Sequence, residues 1–144
     1  MTMNNILNIT NGDSAVKIMQ RANLPGVFLP WRDVLHEGPV PGGLALEELS
    51  QVRAAFIADR GWGTPEDIAK DFIDRDNVLK ASAEYDKVIL WFEHDLYDQL
   101  QLLQVLDWFN ENRPEETEVS NICVDQYLGM LSHDRMARQA RYEM

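Results

Sequence analysis

Residues 87–99 have the sequence Lys87-Val88-Ile89-Leu90-Trp91-Phe92-Glu93-His94-Asp95-Leu96-Tyr97-Asp98-Gln99, and this stretch decides the fold. The run from Val88 to Phe92 is apolar without alternation, which is typical of a central strand that is covered on both faces. The residues after it are polar and potentially reactive. A rigidly held strand that opens into such residues is a suitable support for a functional site.

Three other short apolar runs in the chain end in the same way. These candidate strands are Asn5 to Ile9, Val27 to Leu29 and Val119 to Val124. The polar residues that follow them are Thr10 to Ser14, Pro30 to Glu37 and Asp125 to Tyr127. If the strands are parallel, all of these polar segments meet at one edge of the sheet, where open α/β folds bind ligands.

Helical patterns separate the strands. The expected helices are Ser14 to Ala22, Leu46 to Asp59, one with Thr64 as its N-cap, Tyr97 to Asn110, and Tyr127 to Tyr142. The residues expected to face inward are Leu46, Leu49, Val52, Phe56 and Ile57 in the second helix, and Leu100, Leu103, Leu106 and Trp108 or Phe109 in the fourth. The order βαβααβαβα predicts a single α/β domain over residues 1–144. It is Rossmann-like and three-layered, with a mostly parallel sheet of about four strands and helices on both faces.

Composition limits the classes of partner. The formal net charge is −11 and no run of Lys or Arg is present, so neither nucleic acid nor an anionic membrane surface is expected as a partner. The longest apolar stretch, Val88 to Phe92, is far too short to span a membrane, and no secretory signal is recognisable. The lone Cys123 excludes an internal disulfide and favours a cytoplasmic location.

The turn after the first strand is the first candidate ligand site. Backbone N–H groups at the start of a helix attract anions, and Gly12 permits a tight turn or a close approach of a ligand. The ligand-binding candidates here are Asn11, Gly12, Asp13 and Ser14. One glycine and no lysine match neither the dinucleotide fingerprint nor a P-loop. The alternative is a turn in which Asp13 or Ser14 caps the helix.

The loop from Pro30 to Gly43, rich in proline and glycine, is the second candidate. Loops of this length inside a compact domain are usually functional or act as a lid. Its ligand-binding candidates are Trp31, Arg32, Asp33 and Glu37, and His36 is a candidate catalytic residue. Arg32 fits a carboxylate or phosphate of a ligand. Alternatively, it pairs with Asp33 or Glu37 and pins the loop.

The segment after the central strand is the densest cluster of candidates. Its catalytic candidates are Glu93, His94 and Asp95, with His94 as a general base, and its ligand-binding candidates are Tyr97 and Asp98. Asp98 has the alternative role of capping the following helix. Several carboxylates around one crevice need a divalent cation, a cationic ligand or raised pKa values. The cofactor is therefore unknown, with a divalent metal as one option.

Three stretches resemble the signature blocks of the bacterial domain-of-unknown-function family 1835. They are Ile9 to Ser14, Pro30 to Val40 and Trp91 to Gln99, and the resemblance extends from about Asn5 to Leu131. It implies a bacterial cytoplasmic protein and brings no established activity. Family members often continue into a second domain, which supports reading the chain either as the N-terminal part of a longer protein or as a short member of the family.

Three functional hypotheses remain open at this stage. The first is an enzyme that acts on a small polar or phosphorylated ligand, with a divalent metal as an option. The second is a ligand- or partner-binding module without turnover. The third is the structural half of a larger protein, in which the 30–43 loop packs on a missing domain, and it requires an exposed apolar patch around Trp31 and Val34. A homo-oligomer is also possible, but no feature of the sequence specifies an interface.

Overall fold

The computed structural model describes residues 5–112 and 115–124. The chain forms two compact units: a sheet unit, made of residues up to Arg32 and from Ser82 onward, and a helical unit, Asp33–Ala81. In chain order the elements are β1 Ile6–Thr10, α1 Asp13–Arg21, β2 Val27–Pro30, α2 Leu46–Asp59, α3 Pro65–Lys80, a 3-10 helix Ala81–Glu84, β3 Lys87–Glu93, α4 Leu96–Asn112 and β4 Glu118–Val124.

The four strands form one parallel sheet in the order β2-β1-β3-β4. From β1 the chain first adds β2 on one side, and it then crosses to add β3 and β4 on the other side. Right-handed crossovers in these opposite directions place α1 and α4 on opposite faces of the sheet. The predicted three-layer α/β fold is therefore confirmed, and the strand order reverses between β1 and β3.

The strand β3 is the centre of the sheet unit, as its apolar run predicts. Val88 to Phe92 are at most 6% exposed. Ala15 and Met19 of α1 pack against Ile89 and Trp91, which alternate along β3. Alternate side chains of a strand point to opposite faces, so the remaining residues of this run face the α4 side of the sheet. A strand covered on both faces holds its carboxyl end in a fixed position.

The buried face of α4 differs from the predicted one. The helix buries Asp98, Gln101, Leu102, Val105 and Phe109, whereas Leu103 is 61% and Leu106 is 38% exposed. The prediction was wrong for these two leucines. Gln101 donates from Nε2 to the carbonyl of Trp31 at 2.9 Å, so hydrogen-bonded polar residues share the inner face with apolar ones.

The helical unit consists of α2, α3 and the loop that precedes them. Thr64 caps α3 as predicted, because its hydroxyl accepts from the amide of Asp67 at 3.2 Å. Ala54, Ile68 and Phe72 form the buried apolar cluster. Contrary to prediction, α2 buries Ser50, Arg53 and Ala54, while its predicted inward apolar residues are only partly buried.

No helix in residues 5–112 and 115–124 is long and apolar enough to cross a membrane. The predicted helix Tyr127 to Tyr142 and the polar segment Asp125 to Tyr127 lie outside the described residues.

Candidate functional site

The candidate site lies where β1 and β3 end, at the point where the strand order reverses. Asn11 directly follows β1, and Glu93 is the last residue of β3. The Asn11 Nδ2 atom donates to Glu93 Oε2 at 2.5 Å and to Asp98 Oδ2 at 2.9 Å. One side-chain amide thus joins the ends of both strands to the first turn of α4. In open α/β sheets, this crevice is where ligands bind.

The turn into α4 explains why Asp98 faces the strand ends. Asp95 caps the helix, because its Oδ1 accepts from the amide of Asp98 at 2.9 Å. The side chain of Asp98 instead accepts from the amide of Glu93 at 2.7 Å. Gln99 donates to the carbonyl of Glu93 at 2.7 Å, which further fixes the turn. The capping role considered for Asp98 therefore belongs to Asp95.

Three carboxylates meet at this turn. One oxygen each from Glu93, Asp95 and Asp98 can be chosen so that all three lie within 4.8 Å of one another. Glu93 and Asp98 are 5% and 6% exposed, while Asp95 is exposed. Oxygens on opposite sides of one Mg²⁺ or Ca²⁺ are separated by about twice the metal–oxygen distance of about 2.0–2.6 Å. The donor type and spacing therefore fit one hard divalent cation.

The electrostatics of Asp98 reflect its burial. Loss of solvation raises the pKa of this carboxyl, and the nearby charge of Asp95 raises it further. Hydrogen bonds from the Glu93 amide and the Asn11 side chain oppose the shift. A cation bound at the three carboxylates would favour the ionised form of Asp98 and so oppose the rise in its pKa.

The N-terminus of α1 adjoins Asn11 and is open. Gly12 is the N-cap with φ 165°, which is extended backbone, and no side chain caps the helix. The predicted capping by Asp13 or Ser14 is therefore wrong, and both side chains are exposed. A Cβ placed on Gly12 would meet no atom within 4 Å. Gly12 is thus not required by the turn, and the space in front of it is accessible to a ligand.

Arg32 forms an ion pair with Asp13 at the start of α1. Its guanidinium donates to Asp13 through Nε at 2.9 Å and through Nη2 at 2.7 Å, and both side chains are more than half exposed. Hydrogen bonding to Arg32 lowers the pKa of Asp13. Asp33 and Glu37, the alternative partners considered for Arg32, form ion pairs with Arg53 and Arg60, as described below.

Trp31 is a core residue of the sheet unit. It is 0% exposed, and its Nε1 donates to Gln104 Oε1 at 3.1 Å. Its indole ring therefore offers no surface to a ligand in this conformation. Val34 is partly buried. The exposed apolar patch that the structural-half hypothesis requires is accordingly not formed by Trp31 and Val34.

In the helical unit, the loop after β2 folds around Arg53. Both Arg53 and the Asp33 carboxylate have no exposed side-chain surface, and their closest atoms, Nη2 and Oδ1, are 2.7 Å apart. Arg53 also donates to the carbonyls of Val34, Glu37 and Pro39 at 2.9, 2.7 and 3.2 Å. Asp33 therefore pins the loop. Sequence reasoning missed Arg53 because the pattern of α2 showed it only as one polar residue in an amphipathic helix.

The remaining candidates are at the surface of their units. His36 Nε2 lies 3.9 Å from Glu37 Oε2, and Glu37 Oε1 accepts from Arg60 at 3.2 Å. In the sheet unit, His94 and Tyr97 are exposed beside the three carboxylates, and within the described residues no hydrogen bond to the His94 side chain is formed. The structure thus gathers Asn11, Glu93, Asp95 and Asp98, whereas Asp33, His36 and Glu37 belong to the helical unit.

Comparisons with known proteins add nothing to this geometry: no family model, curated protein or solved structure matches the chain. The resemblance to family 1835 stays a prediction that depends on the three quoted stretches. The case for a site therefore depends on the contacts at the strand ends.

Proposed function

We propose that the sheet unit is a small enzyme that binds a divalent cation and a small polar or phosphorylated ligand at the ends of β1 and β3. Glu93, Asp95 and Asp98 would hold the cation. Membership of family 1835 and a bacterial cytoplasmic setting belong to the same proposal. The observation that carries it is the meeting of three carboxylates, two of them buried, where the strand order reverses.

The cost of burying these carboxylates supports a cation. Placing ionised groups close together in a poorly solvated position is unfavourable unless a positive charge or a proton neutralises them. Asn11 supplies hydrogen-bond donors but no charge. A bound divalent cation would supply that charge and would polarise a phosphoryl or carbonyl oxygen of the ligand.

The uncapped start of α1 supports a polar or anionic ligand. The first N–H groups of a helix and its dipole favour negative charge, and no side chain caps them here. The Arg32 guanidinium donates two hydrogen bonds to the Asp13 carboxylate in the first turn, and an anionic ligand that displaced this carboxylate would receive the same two hydrogen bonds. In this arrangement, His94 is the residue for proton transfer, since imidazole is the side chain most often used as a general acid or base.

A second candidate function is binding without turnover. It is favoured by the exposure of His94 and by the lack of a hydrogen bond that would orient its ring, counted within the described residues. A general base is normally held in place by a further group. The same cation and ligand would then serve recognition, and the carboxylates would have the same roles.

Thermal-shift measurements test the cation site. Wild-type protein is heated with and without Mg²⁺, Mn²⁺ or Ca²⁺, alone and with nucleotides, sugar phosphates and amino acids. A ligand at about 100 times its dissociation constant stabilises the fold by about 2.7 kcal/mol, which raises Tm by several degrees. We expect cation-dependent stabilisation that Asp95→Asn clearly reduces, because asparagine preserves the helix cap but removes the charge.

Asp107→Asn is the matched control, since Asp107 is an exposed carboxylate of the same helix outside the cluster. Equal cation responses in wild-type protein and Asp95→Asn would refute the site. His94→Ala then separates the two functions. An enzyme loses turnover of the identified ligand while keeping its Tm, whereas a binding module shows no turnover to lose.

A further inference from the structure

The two edges of the sheet differ in how they are protected. Exposed strand edges can pair with another chain, and natural proteins block them with short edge strands, proline or lysine. β2 has four residues and ends in Pro30. β4 has seven residues, contains no proline, lysine or arginine, and has no strand on its outer side within residues 5–112 and 115–124. The described structure therefore leaves the β4 edge open to an added strand.

One flank of α4 is turned toward the same edge. Gln101 and Gln104 form hydrogen bonds with Trp31, which follows β2, so their flank of the helix faces the β1–β2 side of the sheet. Successive residues of an α-helix are rotated by about 100°, which places Leu103 and Leu106 on the opposite flank. Both leucines are exposed. The exposed apolar side chains of α4 are thus directed toward the side of the sheet where β4 lies.

β4 is also open on the face of the sheet that carries α4. Ile122 belongs to the buried cluster on the α1 side. Side chains alternate along a strand, so Val119 and Asn121 point to the α4 side. Val119 is only half-buried and Asn121 is exposed. These two residues, together with Leu103, Leu106 and the β4 edge, make up the β4-side surface.

Charge favours a second copy of the chain as the occupant of the β4-side surface. With a formal net charge of −11, two copies repel each other and can associate only where the contact carries few carboxylates. Residues 99–106 contain no charged side chain, which is the longest such stretch in the described helices, and Glu118 is the only charged residue of β4. A cationic partner would instead be attracted to the exposed carboxylates elsewhere.

The order of residues in β4 suits pairing with itself. Antiparallel pairing of two β4 strands about Asn121 places Glu118 opposite Val124 of the second copy. Like charges are then not directly opposite each other, which is a condition for a stable strand pair. A two-fold interface brings the same surface of both copies together, and the β4-side surface meets that requirement.

We propose that the protein self-associates through the β4-side surface. The two β4 strands pair antiparallel and continue the sheet, and the exposed leucines of the two α4 helices face each other over the paired strands. Stable interfaces bury about 800 Å² per partner, and one strand edge with a few leucines supplies less, so the dimer is weak and depends on concentration. This inference is independent of the proposed strand-end function, because no residue of the β4-side surface belongs to the carboxylate cluster.

Sedimentation velocity of the full chain measures the association. We expect the sedimentation coefficient to rise from that of a monomer toward that of a dimer as the concentration increases from about 1 μM to about 1 mM. Added salt should strengthen the association, because it screens the repulsion between two acidic chains.

Lysine substitutions locate the interface. Asn121→Lys places two ammonium groups opposite each other at the two-fold axis and should weaken the dimer at least tenfold. Leu106→Lys should weaken it at least threefold. Both substitutions lower the net negative charge, so weaker association cannot result from stronger repulsion between whole chains. Leu44→Lys is the matched control, because Leu44 is 37% exposed against 38% for Leu106 but belongs to the helical unit, and it should change the affinity less than twofold.

Circular dichroism confirms that the variants are folded. Three results would each overturn the proposal. The first is a monomer at every concentration. The second is an association that salt weakens, since attraction between charges would then hold the copies together. The third is a dimer whose affinity is unchanged in Asn121→Lys or in Leu106→Lys.

Discussion

Replacing Arg53 with methionine should be among the most destabilising substitutions in the helical unit. Methionine keeps the apolar stem of the side chain but removes the guanidinium, whose partners are the Asp33 carboxylate and three backbone carbonyls. Neither Arg53 nor Asp33 has exposed side-chain surface. Removing one partner of such a buried pair typically costs about 3–5 kcal/mol, because the other charge is left uncompensated.

Urea denaturation followed by circular dichroism measures this cost. Arg60→Met is the matched control, since Arg60 pairs with Glu37 on the same loop but is 48% exposed, and an exposed pair contributes about 0–1 kcal/mol. In a double-mutant cycle, Asp33→Asn should cost less in the Arg53→Met background than in wild-type protein. A loss below about 1 kcal/mol in Arg53→Met, or strictly additive losses, would refute the role assigned to this pair.

Three further predictions follow from the sheet unit. Gly12→Ala should change the free energy of unfolding by less than about 0.5 kcal/mol, because the new Cβ meets no atom within 4 Å. The same substitution should weaken ligand binding at the start of α1. A larger loss of stability, measured by urea denaturation, would contradict the first expectation. Burial raises the folded-state pKa of Asp98 above its unfolded value, so the stability that this group contributes is present at low pH and is lost as the pH rises from about 4 through the folded pKa. Wild-type protein should therefore lose stability relative to Asp98→Asn over that interval. Parallel curves of stability against pH for the two proteins would contradict this prediction. Trp31→Phe should cost about 1–3 kcal/mol by leaving Gln104 Oε1 without its donor, in addition to any loss of packing, and a neutral effect in urea would argue against the core role of Trp31.

The sequence predicts the architecture well because its strongest signals are local. The unbroken apolar run from Val88 to Phe92 identifies β3 as the central strand, and parallel strands then bring their carboxyl ends to one edge. The proximity of Asn11 and Glu93 follows from that rule, whereas Asp98 joins them through the turn into α4.

The sequence alone does not decide which residue caps α4 or which face of that helix is buried. Asp95 and Asp98 are both good candidates to cap α4, and only the path of the turn decides that Asp95 does so. The leucines of α4 give a clear helical period, yet the structure buries Gln101 in place of Leu103 because the Trp31 carbonyl needs a donor. Tertiary hydrogen bonds of this kind cannot be predicted from the local periodicity of apolar residues.

The burial of Arg53 could not be predicted for a related reason. Its partners are a carboxylate and three carbonyls of a loop that has no regular structure. The acceptors come from residues 14 to 20 positions earlier in the chain, so their convergence depends on the whole path of that loop. An irregular loop built around one guanidinium has no periodic sequence signal.

Calorimetric titration of Mn²⁺ into wild-type protein and into Asp95→Asn at neutral pH measures cation binding at the strand ends. The proposed site predicts one saturable ion per chain in wild-type protein, an affinity at least tenfold weaker in Asp95→Asn, and unchanged affinity in Asp107→Asn. No saturable heat in wild-type protein, or the same affinity in Asp95→Asn, would contradict a cation site at the ends of β1 and β3.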